Sequence, residues 1–272
     1  MVLRAGNFRL DGGSMFGVVP KAIWSRLVEP DDANRIPLQT NCLLLDDGVH
    51  RVLVEAGYGG GWDDKSKSIF ALEDRTITDA LQEVDVDPES VTHTIVTHLH
   101  FDHCGGLTRT DEHNCHTRVF PNAKCIVQKR EWLDAKSRRS TMSKTYLSNN
   151  LKPLEEKLEL VEGTHEVLPG LTVWPTMGHT WGHQSVRVDT QDEVVAFLGD
   201  VVPTCNHVPL AFSMGYDMLP WDNMKTKEAV LKLAMDEGWR LVLAHEPGHP
   251  EVRIIPDPAG HGRLTFQSLE SN

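Results

Sequence analysis

The sequence predicts a mixed α/β or α+β domain on three observations. Short apolar segments bounded by turn residues recur along the chain, segments of helical periodicity lie between them, and no repeat, low-complexity stretch or linker interrupts the pattern. Strands with interspersed helices favour layered sheets covered by helices over a bundle or an all-β barrel. At 272 residues, the whole of 1–272 fits one large domain better than two small ones.

Taken in order, the expected strands are Thr40 to Leu45, Arg51 to Glu55, Thr94 to Thr97, Lys124 to Gln128, Leu171 to Pro175, Gln184 to Val188, Val194 to Leu198 and Arg240 to Ala244. Each is short, apolar and punctuated. Helices are expected at Thr76 to Val84, with Ile77, Leu81 and Val84 on one side, at Lys129 to Lys136, and at Lys225 to Glu237, with Ala229, Val230 and Leu233 facing inward. Pro88 and Gly238 are suitable stops.

Hydrophobic residues make up 40% and charged residues 24%, which excludes a disordered chain. The net charge of −12 repels nucleic-acid phosphates and anionic lipid. The one short basic cluster, Lys136 to Arg139 with Lys144 nearby, reads as a solvated element end. Five scattered cysteines without a CxxC pair suggest neither a disulfide framework nor a thiolate zinc finger, and fit reduced thiols in a cytoplasm. No segment approaches the roughly 20 apolar residues of a membrane span, and the first residues lack a signal-peptide core.

Chemistry concentrates where the strand ending at Thr97 runs into His98, Leu99, His100, Phe101, Asp102 and His103, followed by Gly105 and Gly106. In extended chain, residues two apart share a face, so His98 and His100 can grip one metal while Leu99 turns into the interior. Asp102 and His103, beyond the strand, can face a second ion, and the glycines allow a tight turn. Imidazole and carboxylate ligands suit zinc, and also manganese, cobalt or iron.

This run resembles the HxHxDH signature of the metallo-β-lactamase superfamily. Further similarities follow in order: Gly178-His179-Thr-Trp-Gly-His183, then Phe197-Leu-Gly-Asp200, then Ala244-His245. The resemblance covers roughly residues 38 to 250 and implies a four-layer αββα sandwich. It implies that His98, His100 and His179 hold one divalent ion and Asp102, His103 and His245 a second, with Asp200 bridging. His183 and Glu55 match supporting positions, although the family more often has Asp where Glu55 stands.

The implied mechanism is hydrolysis by a metal-bridged hydroxide, with Asp200 and Asp102 as catalytic carboxylates and Asp200 handling the leaving-group proton. No GxSxG elbow is present, and Cys104 has no pairing pattern, so a protein nucleophile is disfavoured. The lactonase and organophosphate-hydrolase-like branch is the most similar, implying a small lactone or ester substrate. In that branch a tyrosine often follows the bridging aspartate by three residues; Pro203 stands here, with Tyr216 further along. The apolar stretches around Met15 and Phe16 and around Phe212 and Tyr216 fit either a cleft wall or core and homodimer packing.

Phosphotriesterase and β-lactamase activities share the same chemistry, and an iron-dependent sulfur dioxygenase or a non-catalytic scaffold are the readings from other classes. All seven ligand positions are intact, which disfavours the scaffold. The segment Thr108 to Arg118, with His113, Cys115 and His116, reads as a flexible insertion rather than a second metal site. No role falls to His249 or His261.

Overall fold

The computed structural model describes residues 1–111, 115–141, 145–260 and 263–269, so His113, Lys144 and His261 lie outside the described residues. The chain packs as two compact units, Met1–Phe8 with Gln39–Gly163 and Arg9–Leu38 with Thr164–Asn272.

Strands β1 (Val2–Asp11), β2 (Arg35–Asp46), β3 (Arg51–Val54), β4 (His93–Ile95), β5 (Thr108–Thr110), β6 (His116–Arg118), β7 (Lys124–Gln128) and β8 (Leu158–Val161) serve the first unit, which β1 and β2 enter through Val2–Phe8 and Gln39–Asp46. Six of them form a sheet in the order β1-β2-β3-β4-β7-β8. The strands β3, β4, β7 and the edge strand β8 are mutually parallel. Their composition explains this: Val52-Leu53-Val54 and Cys125-Ile126-Val127 are continuous apolar runs buried on both faces, as parallel strands require.

The helix Ile77–Gln82 opens with a capping box between Thr76 and Asp79 and buries Ile77, Ala80 and Leu81. The helix Lys129–Lys136 has the expected bounds. Strands β5 and β6 pair as an antiparallel ribbon, so the flanks of the expected insertion are ordered by a ladder.

The second unit holds β9 (His165–Leu168), β10 (Leu171–Pro175), β11 (Gln184–Asp189), β12 (Val194–Phe197), β13 (Arg240–Val242), β14 (Glu251–Pro256) and β15 (Leu264–Ser268) in the sheet order β15-β14-β13-β12-β11-β10-β9. Among the described residues of this sheet only the β12–β13 pair is parallel, so it needs a crossover, and the helix Pro220–Asp236 lies within that connection. This helix starts five residues before the expected Lys225, with Pro220 in its first turn.

Its inward face also differs from expectation. Asn223, Lys227, Val230, Leu231 and Ala234 are buried, whereas Ala229 and Leu233 are exposed. The buried Lys227 sets this phase: its ammonium donates to the carbonyls of His207 (3.0 Å) and Phe212 (2.8 Å), which makes burial of a charged residue tolerable.

Met15 and Phe16 lie in a helical turn, Gly12–Phe16, and are fully buried in this unit. Phe16 stacks on Trp24 at 5.4 Å and on His207 at 5.0 Å, with Phe212 edge-on at 5.9 Å. Core packing is therefore their role.

Candidate functional site

In the first unit the His98 run sits at the carboxyl end of the parallel strands, where open α/β sheets place their ligands. The β4 ladder stops at Ile95, two residues before the expected Thr97, because the Thr97 amide is taken by the Glu55 carboxylate at 2.7 Å. His98 and His100 meet edge to face at 4.3 Å between ring centroids, and His103 lies 4.0 Å from His98. Asp102 and His103 are carried by the single turn Phe101–Cys104, and all four residues are buried. Leu99 is fully buried, as its alternation demands.

Two buried carboxylates brace this run. Glu55 holds the Thr97 amide with one oxygen and accepts from His103 Nδ1 with the other at 3.1 Å. Its backbone is left-handed (φ 65°), which ends β3 before Glu55 and aims the side chain at the motif. Glu131, on the helix Lys129–Lys136, accepts from the Leu99 amide and from the Tyr146 hydroxyl, both at 3.0 Å. The Tyr146 ring lies 5.2 Å from that of His100. Burial beside this carboxylate drives the phenol far above its ordinary range.

Gly105 and Gly106 are required for a reason other than the one their pattern suggests. Gly105 has helical dihedrals (φ −57°), and neither glycine is left-handed. A Cβ on Gly106 would overlap the Ala56 carbonyl oxygen, and one on Gly105 the Tyr58 carbonyl. Close backbone approach, not turn conformation, excludes a side chain.

In the second unit His179, Asp200 and His245 come together. His179 Nε2 lies 3.3 Å from Asp200 Oδ2, and His245 Nε2 lies 3.2 Å from Asp200 Oδ1. Each is delivered by a constrained backbone: His245 follows β13 and donates its amide to Pro203 at 2.8 Å. Asp200 sits in a short turn after β12, and its amide donates to His183 Nε2 at 3.2 Å. Since that nitrogen accepts, the proton of His183 resides on Nδ1 and is given to Thr176 Oγ1 at 2.9 Å. His183 thus holds the backbone of Asp200.

The loop carrying His179 is pressed against the first turn of the helix Pro220–Asp236. Gly178 is left-handed (φ 147°), and a Cβ there would overlap Asn223. His179 Nδ1 is 2.9 Å from Asp217 Oδ1, and that carboxylate also accepts from the Met214 amide (3.1 Å) and from Asn223 Nδ2 (2.9 Å). Asp217, Glu131 and Tyr146 brace the candidate site, and sequence reasoning did not find them. Each is an isolated residue whose meaning comes only from what folding brings beside it.

The donor set fits divalent metal ions. A carboxylate only accepts, so His103 and His179 carry their protons on Nδ1 and present the Nε2 lone pair. With the proton of a neutral ring on Nδ1, the Nε2 lone pair of His179 faces an oxygen of Asp200 at 3.3 Å, an arrangement that a cation shared by the two would stabilise.

The other candidates fall elsewhere. His116 bonds Thr110 across the β5–β6 ribbon at 3.1 Å. Pro203 is buried and supplies the carbonyl that holds His245, while Phe212 and Tyr216 are half-buried. Cys104 is buried, its thiol donating to the Leu99 carbonyl, and burial raises its pKa well above the ordinary thiol range, the opposite of an activated nucleophile.

A cavity of roughly 360 Å³ in the first unit is lined by Trp62, Arg109, Arg138, Tyr146, Leu147 and Asn150, among others. Tyr146 joins it to His100. A larger groove of roughly 700 Å³ beside Gly59 to Gly61 and Thr76 reaches Gly106 but none of the seven candidate ligands. Among the described residues no helix is long and apolar enough to cross a membrane.

The chain is 29% identical over 171 residues to an N-acyl homoserine lactonase of a Bacillus species, a match covering 62% of this chain and 59% of that relative. It is 29% identical over 178 residues to an N-acyl homoserine lactonase of Bacillus cereus, covering 65% and 62%. The chain thus spans about three fifths of these curated relatives. Among solved structures it is similar to a probable metal-dependent hydrolase from Staphylococcus aureus, with a TM-score of 0.89 and 28% identity over 100% of this chain and 97% of that one. It shares the fold of AidC, a dizinc quorum-quenching lactonase, with a TM-score of 0.82 and 18% identity over 100% and 94%. The model of the metallo-beta-lactamase superfamily matches residues 35–245, a span that takes in both groups of site residues, and the chain belongs to that superfamily.

Proposed function

We propose that this protein is a metal-dependent hydrolase that opens lactone rings, with carboxylic esters as a second acyl class. In this reading His98, His100 and His179 would hold one divalent ion and Asp102, His103 and His245 another, with Asp200 shared between the two. Zinc is the expected ion. The observation that carries the reading is His179, whose Nδ1 is fixed by one buried carboxylate while Nε2 faces another. Superfamily membership over a span containing all seven residues supports it, as do relatives named N-acyl homoserine lactonase.

When bound, such a metal pair lowers the pKa of water toward neutrality and polarises an acyl carbonyl. The chain supplies the rest. Asp200, its backbone held by His183, carries a proton from the attacking water to the departing ring oxygen as the acyl carbon–oxygen bond breaks. Asp102 shares the turn that carries His103 and would offer its carboxylate to the same ion. Trp62, Leu147 and the Tyr146 ring give a small acyl group an apolar wall, in a cavity within the usual size range for ligands. The net charge of −12 disfavours polyanionic substrates. Buried, protonated Cys42, Cys104 and Cys125 suit a reducing cytoplasm.

The test is hydrolysis by the purified chain of an N-acyl homoserine lactone, an aryl ester, a β-lactam and a phosphotriester, with products identified by mass. Lactone opening that a chelator abolishes and zinc restores is the expected result. Turnover of the phosphotriester or β-lactam alone would replace the substrate assignment, and no turnover of any would overturn the hydrolase.

A further inference from the structure

We infer that Asp217 is the positioning residue for His179, and that the helix Pro220–Asp236 holds it in place as a strut. The inference rests on the metal-site reading above and deepens it, because that reading assigns Asp217 nothing.

The geometry divides the two oxygens of Asp217 between two tasks. Oδ1 receives His179 Nδ1 at 2.9 Å, while Oδ2 receives the Met214 amide at 3.1 Å and Asn223 Nδ2 at 2.9 Å. The side chain is fully buried, so water cannot replace these partners. Because Oδ2 is held from two directions, the carboxylate cannot rotate, and Oδ1 fixes both the orientation and the tautomer of His179.

The loop bearing Asp217 is itself pinned one turn along the same helix. Lys227 donates to the carbonyls of His207 and Phe212, and His207 in turn bonds Thr204 Oγ1 through Nδ1 at 2.8 Å and the Met15 carbonyl through Nε2 at 2.8 Å. Residues 204–217 are thus held at both ends by buried hydrogen bonds. Asn223 and Lys227, spaced by one helical turn, serve the same loop.

Asp217→Asn separates positioning from packing, because the amide keeps the shape but offers one acceptor and one donor. If its NH₂ faces His179, the proton must move to Nε2. If it faces Met214 and Asn223, three donors collide. Two readouts decide the matter on the full chain. Nitrogen-15 NMR of the metal-free protein is expected to show His179 protonated at Nδ1, and to show that signature lost in Asp217→Asn. Zinc binding by chelator competition is expected to weaken by roughly 10–100-fold for one ion of two, with the other changed by less than about threefold.

Equal weakening of both ions, or none, would overturn the positioning role. Should Asp217→Asn not fold, Asn223→Ala removes one donor to Oδ2 and is expected to weaken the same ion by a smaller factor; an unchanged affinity there contradicts the strut. If the wild-type chain binds no zinc, the metal-site reading fails, while the NMR signature still decides whether Asp217 sets the tautomer.

Discussion

Replacing Glu55 by Gln probes how a side chain that touches no substrate controls the His98 run. Glu55 is 2% exposed, donates its amide to the Ile95 carbonyl, and its carboxylate accepts from the Thr97 amide at 2.7 Å and from His103 Nδ1 at 3.1 Å. In Glu55→Gln, Oε1 still accepts from Thr97, so a fold-preserving orientation exists. Nε2 then points a donor at His103 Nδ1, which forces the proton to His103 Nε2 and removes the lone pair required for ligation. Converting two charge-assisted hydrogen bonds to neutral ones costs about 2 kcal/mol, or roughly 4–8 °C in the melting temperature of the metal-free chain. The larger effect is on metal. Chelator competition is expected to show the affinity of one ion reduced by roughly 10–100-fold, with hydrolysis falling in parallel. A Glu55→Gln protein that binds both ions as tightly as wild type would refute the tautomer argument.

Gly106→Ala places a Cβ on the Ala56 carbonyl and is expected to destabilise the protein by more than about 3 kcal/mol; denaturant titration with a midpoint near wild type would contradict it. Tyr146→Phe removes a hydroxyl already committed to Glu131, so a loss of about 1–2 kcal/mol in stability and less than about threefold in kcat is expected; a hundredfold drop in kcat would mean that the hydroxyl acts on substrate. His207, buried and depressed to about 4, is neutral in the fold while the unfolded chain protonates near 6.5. Stability from this residue is therefore present above about pH 6.5 and lost as pH falls toward 4, by up to about 3 kcal/mol. A His207→Gln chain is expected to show a flatter stability profile over that window in metal-free buffer, and an unchanged slope would remove His207 as a cause.

The residues that hold the proposed metals were legible because their spacing carries them. Four potential ligands in the six residues from His98 to His103 rarely coincide without purpose, and His179, Asp200 and His245 each follow an apolar strand segment. The supporting residues were not legible. Asp217 stands 38 positions from His179, and Glu131 stands 32 from Leu99, with no local pattern linking them.

Where a strand was expected its interior was read well and its ends less so. β7 and β10 have the expected bounds, but β3 and β4 stop early because the Glu55 side chain and its left-handed backbone replace the ladder. Seven of the described strands, β1, β5, β6, β8, β9, β14 and β15, were not expected; in β14 the inward alternation of Val252 and Ile254 is short and flanked by Pro250 and Pro256. The long helix was phased on its aliphatic residues, whereas a buried lysine with two carbonyl partners decides which face turns inward.

The central claim is that one chain holds two divalent ions with Asp200 between them, and elemental analysis of protein purified without added metal tests it most directly. The account predicts about two zinc, manganese or cobalt ions per chain, with the count falling in Asp200→Ala while the fold is kept. A single iron per chain that is indifferent to Asp200→Ala, or no bound metal after zinc is supplied, would contradict it.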